Sequence, residues 1–115
     1  MSLIEQIKAA AVAGGEKVTV PDWGVTVEVR PMTVRGRSEV YHDAIVDDET
    51  RLEKLYPALL IASVFDPETG EKVFSNADAE WLADQSSAPV ELLATKVLEL
   101  SGLTKAAVEA GKDGS

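Results

Sequence analysis

The clearest periodicity in this chain lies in residues 50–64, TRLEKLYPALLIASV. Mostly apolar residues recur in it at intervals of three and four positions, which predicts a helix with one continuous apolar stripe. The stripe consists of Leu52, Leu55, Tyr56, Leu59, Leu60, Ser63 and Val64. Ala58, Ile61 and Ala62 widen it until the second half of the helix is apolar on almost every side, which is typical of a buried, central helix. Pro57 removes one backbone hydrogen bond and predicts a kink or a new helix start.

A segment closer to the N-terminus, residues 16–30, predicts a β-hairpin. Two β-branched and nearly alternating runs, residues 17–20 and 25–30, flank a turn that begins with Pro21 and ends with Gly24. Proline presets the φ angle of such a turn, and glycine accepts the positive φ at its end. Because a lone hairpin is marginally stable in water, it must lie on helices or on the strands of another chain.

Two helices are predicted around the hairpin. Ser2 and Glu5 have the spacing of a capping box, and apolar residues at helical spacing extend the first helix over residues 2–13. Thr33 is positioned to cap a second helix that runs to about Val46. An acidic corner follows, made of Asp43, Asp47, Asp48 and Glu49.

The C-terminal half predicts three more helices. Ser75 or Asn76 caps a short one through about residue 85, and a longer one spans residues 86–101. The predicted inward face of the longer helix consists of Val90, Leu93, Ala94, Val97 and Leu98. A last short helix is expected over residues 104–110. Residues 66–70, DPETG, form a turn that belongs to either a second small hairpin or an ordered loop. These elements predict an α+β fold, mainly α: a small helical bundle with an N-terminal hairpin.

Composition excludes several classes of protein. The 115 residues include no cysteine, so a disulfide framework, a thiolate zinc site and a cysteine nucleophile are excluded. The formal net charge of −9 argues against nucleic-acid binding through a general basic surface. No apolar run approaches the roughly 20 residues of a membrane span, and no signal peptide is recognisable at the N-terminus. We therefore expect an intracellular protein that binds neither nucleic acid nor a membrane.

No constellation of residues indicates catalysis. His42 is the only histidine, and Asp43 beside it points about 100° away on a helix, so the two do not form a catalytic pair. The acidic corner lacks the spacing of a calcium loop and is interpreted as a solvated surface. We predict a protein without enzymatic activity, catalytic residues, a cofactor or a metal ion.

Four residues are candidates for partner binding. Trp23 at the hairpin turn and Trp81 on a helix with few large apolar residues either pack on the core or anchor a partner. Leu92 lies on the polar face of its helix. Arg37 projects from an apolar stripe, where an arginine either extends its charged end to solvent or holds a buried acid.

The one basic cluster in the sequence contains Arg30, Arg35 and Arg37. Such a cluster could grip an acidic partner. A simpler role for these arginines is to form ion pairs with acidic residues of the same region. We therefore expect these arginines to pair with Glu39, Asp43 or the acidic corner.

Several segments resemble one family of proteins. Residues 21–33, PDWGVTVEVRPMT, are similar to the hairpin and helix start of the small tail assembly chaperones of long-tailed bacteriophages. Residues 56–70, YPALLIASVFDPETG, resemble their central helix and the turn after it. Phe74 with residues 76–80, NADAE, and residues 97–104, VLELSGLT, continue the resemblance, which covers roughly residues 16–110.

The resemblance implies a non-enzymatic role in tail assembly. Family members bind the tape measure protein, keep it soluble while tail tube protein polymerises around it, and leave before the tail is complete. A frameshift often yields a second, longer product in this family, and the C-terminal extension of that product recruits tail tube protein. The resemblance therefore implies action in the host cytoplasm and absence from the mature virion.

Two other functions are compatible with the sequence. One is a structural tail or head–tail connector component that stays in the virion. The other is an acidic inhibitor of a host nucleic-acid-binding protein.

The chain is expected to divide into three parts. They are an N-terminal amphipathic helix, residues 1–15, that is docked, exchanged between copies or mobile; a single chaperone-like domain, residues 16–110; and a flexible tail, residues 111–115. Homo-oligomerisation is left open.

Overall fold

The computed structural model describes residues 1–10 and 15–103. The expected end of the first helix, the expected last helix over residues 104–110 and the tail over residues 111–115 lie outside the described residues. The elements are α1 (Leu3–Ala10), β1 (Glu16–Val20), β2 (Val25–Val29), α2 (Val34–Ala44), β3 (Ile45–Val46), β4 (Glu49–Thr50), α3 (Leu52–Ser63), β5 (Val64–Phe65), a 3₁₀ turn (Asn76–Asp78), α4 (Ala79–Ala83) and α5 (Ser87–Leu100). The predicted fold class, α+β and mainly α with an N-terminal hairpin, is confirmed.

The hairpin is the first part of a three-stranded antiparallel sheet in the order β1-β2-β5. Val20 pairs with Val25 at the turn, and Val29 pairs with Val64 of β5. The backbone N–H of Arg30 donates to the carbonyl of Ser63 at 2.9 Å, immediately beyond the paired residues. The sequence predicted the hairpin but not its third strand, because two residues are too few for a recognisable alternating pattern.

Helix α3 is the central element, as predicted. Leu55, Leu59 and Leu60 are fully buried in the core, which also contains the inner faces of α2, α5 and the sheet. The helix continues through Pro57 without a new start. Leu52, predicted to lie on the buried stripe, is exposed instead, because it is the first residue of the helix and lies at its solvent end.

Helix α2 begins as predicted but ends earlier. The Thr33 hydroxyl accepts a hydrogen bond from the Gly36 N–H at 2.9 Å, so the predicted cap is confirmed. The helix ends at Ala44 rather than near Val46, because β3 and β4 form a short hairpin there. Asp47 and Asp48 occupy its two-residue turn with φ of 52° and 64°. Aspartate tolerates this left-handed conformation better than most residues, so the acidic corner is partly a tight turn.

Helix α5 follows its predicted pattern closely, whereas the short helix predicted to run to about residue 85 consists of the 3₁₀ turn Asn76–Asp78 and α4, which ends at Ala83. Ser75 and Asp78 form a capping box, in which the Ser75 N–H donates to the Asp78 carboxylate at 2.8 Å. All five residues predicted for the inner face of α5 are buried. The helix ends at Leu100. Gly102, two residues further on, has a φ of 72°, and the Leu103 N–H donates to the Leu98 carbonyl at 2.9 Å.

The segment after β5 turns back along the sheet. The Val73 N–H donates to the Val64 carbonyl at 3.1 Å, and Phe65 forms an isolated antiparallel bridge with Lys72. The loop between them is tightened by a hydrogen bond from the Gly70 N–H to the Asp66 carbonyl at 2.8 Å. The predicted alternatives of a second small hairpin and an ordered loop therefore both describe part of it.

Helix α1 differs from the other helices in its burial. The Ser2 hydroxyl accepts from the Glu5 N–H at 3.3 Å and donates to the Glu5 carboxylate at 2.9 Å, so the predicted capping pair forms with one backbone donor satisfied. None of the described residues of α1 is buried, and its apolar residues Leu3, Ile4 and Ile7 are exposed.

Candidate partner-binding groove

A groove crosses the outer face of α3 between α2 and α4. Its larger part has a volume of about 710 Å³ and a neighbouring part has about 400 Å³. The two parts share Asp43, Ala58, Ile61 and Asn76, so they form one continuous depression. We call it the α3 groove.

Small side chains on facing helices produce this depression. Ala58 and Ala62 lie on the face of α3 between its neighbours, and Gly36 faces them from α2. A methyl group on Gly36 would lie 3.8 Å from the Ala62 Cβ, which shows how closely the two helices approach. Because small residues allow this approach without filling the space above it, the floor stays low, and its side chains at Ala58 and Ala62 are apolar. Ile61 is half-buried in the same floor.

The rim of the groove is charged and mostly acidic. Among the described residues, six with carboxylates line it, against two lysines and one histidine. The acidic ones are Glu39, Asp43, Glu53, Asp78, Glu80 and Asp84, and the others are Lys54, Lys72 and His42. His42 is an exposed helix residue, as expected from the sequence. The groove thus combines an apolar floor with a rim of predominantly negative charge.

An aromatic cluster supports the α4 side of the groove. Trp23 meets Phe74 edge-on with ring centroids 6.4 Å apart, and it meets Trp81 with centroids 6.5 Å apart. Phe74 lines the groove, and Trp81 belongs to α4, whose Ala79 and Ala83 line it. Trp23 is half-buried against the core, whereas Trp81 is 54% exposed.

The other two candidate residues lie elsewhere. The Arg37 guanidinium lies 5.6 Å from the centre of the Tyr41 ring and its Nη2 is 3.4 Å from the Tyr41 hydroxyl. Leu92 is 43% exposed and lines a shallow hollow on α5 together with Thr95 and Lys96. The structure therefore brings Trp23 and Trp81 into contact, and none of the four candidates is among the residues that line the α3 groove.

One member of the basic cluster pairs differently from the prediction. Arg30 Nε lies 2.7 Å from the Glu28 carboxylate, and its guanidinium stacks at 4.1 Å over the Phe65 ring. Residues two apart on an extended strand point to the same side, so Glu28 reaches Arg30 more easily than Glu39 or Asp43 does. For Arg30, the expected pairing with those two acids or with the acidic corner is wrong.

Sequence reasoning missed the residues that line the groove, although one signal pointed to them. Ile61 and Ala62 were recognised as apolar positions outside the main stripe of α3. An apolar helix position outside the buried stripe must face either another part of the core or an open apolar surface, and here these two face the groove.

Neither a metal site nor a membrane span is found in the part of the chain that the structure describes. Across residues 1–10 and 15–103, no group of three or more histidine or acidic side chains is arranged to hold a metal ion. Within the same residues, no helix has the length and apolar character needed to cross a membrane.

Comparison with known proteins identifies the fold as one found in phage tail assembly. No family model matches the sequence, and no curated protein matches it significantly. Among solved structures, the tail assembly chaperone of bacteriophage HK97 is similar, with a TM-score of 0.56. The similarity covers 85% of this chain and 95% of that one, at 20% sequence identity. The resemblance expected from the sequence is thus confirmed as a similarity of fold.

Proposed function

We propose that this chain is a phage tail assembly chaperone, which binds the tape measure protein and keeps it soluble during assembly of the tail tube, without catalysing a reaction. The observation that carries the proposal is the α3 groove on a fold similar to that of a phage tail assembly chaperone. An apolar floor between two helices is suited to recognition of an amphipathic helix.

The floor of the groove supports binding that can be reversed. Ala58 is buried, and Ile61 and Ala62 are half-buried, so an occupant would cover only the apolar area that is still exposed. Such a limited area favours weak association, because affinity depends on the fully desolvated contacts and not on the size of the cleft. Weak binding suits a chaperone that must release its partner.

The charge of the chain fits the same role. A formal net charge of −9 keeps a protein soluble when it exposes apolar surface for a partner. Under this proposal the protein acts in the host cytoplasm and leaves before the virion is complete. A longer frameshifted product that recruits tail tube protein is part of the same proposal.

Coexpression with the tape measure protein of the same phage tests the proposal. We expect the wild-type chain to raise the soluble yield of the tape measure protein several-fold, whereas Ile61→Arg should abolish this effect by placing a long charged side chain in the groove floor. Val34→Arg is the matched control, because Val34 is 91% exposed and does not line the groove.

Three results would contradict the proposal. An unchanged soluble yield with the wild-type chain would reject the chaperone function. Equal effects of Ile61→Arg and Val34→Arg, in variants whose helical circular dichroism matches wild type, would reject the groove as the binding site. Recovery of the chain at stoichiometric amounts in purified virions, measured by mass spectrometry, would identify a structural component instead.

A further inference from the structure

The charge of the rim of the α3 groove indicates which charged residues its occupant should carry, whereas the apolar floor does not. Of its acidic residues, Asp43 lies on the α2 side, Glu53 on α3, and Glu80 and Asp84 on the α4 side. All four are exposed, so their charges act across the opening of the groove and are not neutralised by burial. Lys54 and Lys72 also line the groove, but the acidic residues outnumber them, so a helix lying on the floor would have predominantly negative charge around it.

We infer that the α3 groove selects an amphipathic helix whose apolar stripe is flanked by lysine or arginine residues. This inference rests on the proposed function and deepens it by naming the chemistry of the bound helix. Acidic residues on the rim attract basic residues on the bound helix, which steers the partners together and fixes their register. A helix flanked by acidic residues would place like charges opposite each other, which is unfavourable.

The groove also limits the length of the recognised segment. Its lining positions on α3 extend from Glu53 to Ala62. At 1.5 Å per residue, this interval spans roughly 14 Å, or about two and a half helical turns. The recognised stripe should therefore contain about three apolar positions at intervals of three and four residues, with basic residues beside them.

Charge complementarity argues against a second copy of this chain as the occupant. The helix with an uncovered apolar face, α1, carries one acid and one base, Glu5 and Lys8, within Leu3–Ala10. It therefore lacks the basic flanks that the rim would favour. Two copies, each with a net charge of −9, would also repel each other at low ionic strength.

Synthetic peptides test the inference on the full-length chain. Two fluorescently labelled amphipathic helices of roughly 18 residues (about five turns) share one leucine stripe, and their flanking residues are lysine in one and glutamate in the other. We expect the lysine peptide to bind at least about tenfold more tightly than the glutamate peptide by fluorescence anisotropy, with the difference shrinking as salt is raised.

Charge-reversal variants locate the binding. The groove variant combines Asp43→Lys, Glu80→Lys and Asp84→Lys, and we expect it to weaken binding of the lysine peptide about tenfold. The control variant reverses three exposed acids that do not line the groove, which are Asp22, Glu68 and Glu71. Both variants have the same net charge, so nonspecific attraction to an acidic protein would weaken equally in both. We expect the control variant to stay within about threefold of wild type.

Several results would overturn the inference while leaving the proposed function testable by coexpression. One is equal binding of the two peptides, and another is equal loss in the groove and control variants. A third is a wild-type dimer, measured by light scattering, that the groove variant converts to monomer, because the occupant would then be a second copy. If the coexpression test failed but the lysine peptide still bound selectively, the tape measure protein would be rejected as the partner. The charge selectivity of the groove would still hold.

Discussion

Trp23 and Trp81 lie with their ring centroids 6.5 Å apart and their ring planes inclined by 40°. Trp23 belongs to the turn between β1 and β2, and Trp81 belongs to α4, so this contact joins the hairpin to one wall of the α3 groove. Helix α4 has only five residues, and a helix of that length is not stable on its own. The aromatic contact and the buried Leu82 therefore hold this wall in place.

The two tryptophans should differ in their effect on stability. We expect Trp23→Ala to lower the free energy of unfolding by about 2 kcal/mol, because its half-buried ring packs on Phe74 and the core. For a domain of this size that corresponds to a melting temperature lower by about 10 °C. Trp81→Ala should cost less than about 1 kcal/mol, because the side chain is mostly exposed. Thermal unfolding followed by circular dichroism measures both, and equal losses would contradict this assignment.

The central helix should not tolerate a charge at Leu59. Its side chain is fully buried, so Leu59→Asp places an unpaired carboxylate in the core, and we expect a loss of at least about 4 kcal/mol, a large part of the roughly 5–15 kcal/mol that stabilises a domain. Leu92→Asp introduces the same group at an exposed position of α5 and should leave the helical circular dichroism unchanged. A melting curve of Leu59→Asp close to wild type would show that α3 is not buried in solution.

An ion pair ties β1 to α5 and makes stability depend on pH. Lys96 Nζ lies 3.1 Å from the Glu16 carboxylate and 3.4 Å from that of Glu99. The hydrogen bond to Glu16, and then the charge of Glu16, raise the pKa of Lys96 above its usual 10.5. Because folding favours the protonated lysine, this stabilisation is fully present below the pKa of the unfolded chain and is lost as pH rises through the raised pKa.

Glu16→Gln tests this ion pair. We expect it to lower the urea midpoint slightly at neutral pH, and to make no difference at pH values above the raised pKa of Lys96, where the lysine of the wild-type pair is neutral. Glu99→Gln should have a smaller effect, because Glu99 contributes less to the shift. A Glu16→Gln effect of constant size at neutral and strongly alkaline pH would contradict the assignment.

The hairpin turn depends on the backbone conformation of Gly24. Its φ of 65° is unfavourable for residues with a Cβ. Among the described residues, no atom beyond its two chain neighbours lies within 4 Å of the position that a Cβ would occupy. Gly24→Ala should therefore cost about 1 kcal/mol through backbone conformation alone. Gly24→Asn should cost less, because asparagine tolerates the left-handed region. Urea unfolding measures both, and equal costs would show that conformational preference is not the cause.

The sequence predicted the elements whose evidence is local. Residues of α3 and α5 repeat at helical spacing, and the caps at Thr33 and Ser75 are formed by side chains within three residues of the groups they bind. Such features depend on neighbouring residues, so they can be read without knowing the rest of the fold. The end of α2 was placed too late because its last turn and the short strand β3 have the same apolar character.

The candidate site was predicted less completely. Trp23 and Trp81 were identified separately, but their contact joins parts of the chain that only tertiary packing brings together. The groove itself depends on Gly36 and Ala62 meeting from different helices. The apolar positions of α3 outside its main stripe were visible in the sequence, but the approach of Gly36 to them depends on how α2 packs, so the sequence did not show that they form a groove.

The sequence by itself determined the N-terminal hairpin, the main helices and which helix is buried, because hydrophobic periodicity, turn residues and caps act over a few positions. Tertiary structure alone decided that β5 extends the hairpin, that α4 lies beside α3, and that an apolar floor is left open between acidic rims. These features arise from contacts between distant segments, and their energies depend on how complete surfaces fit together.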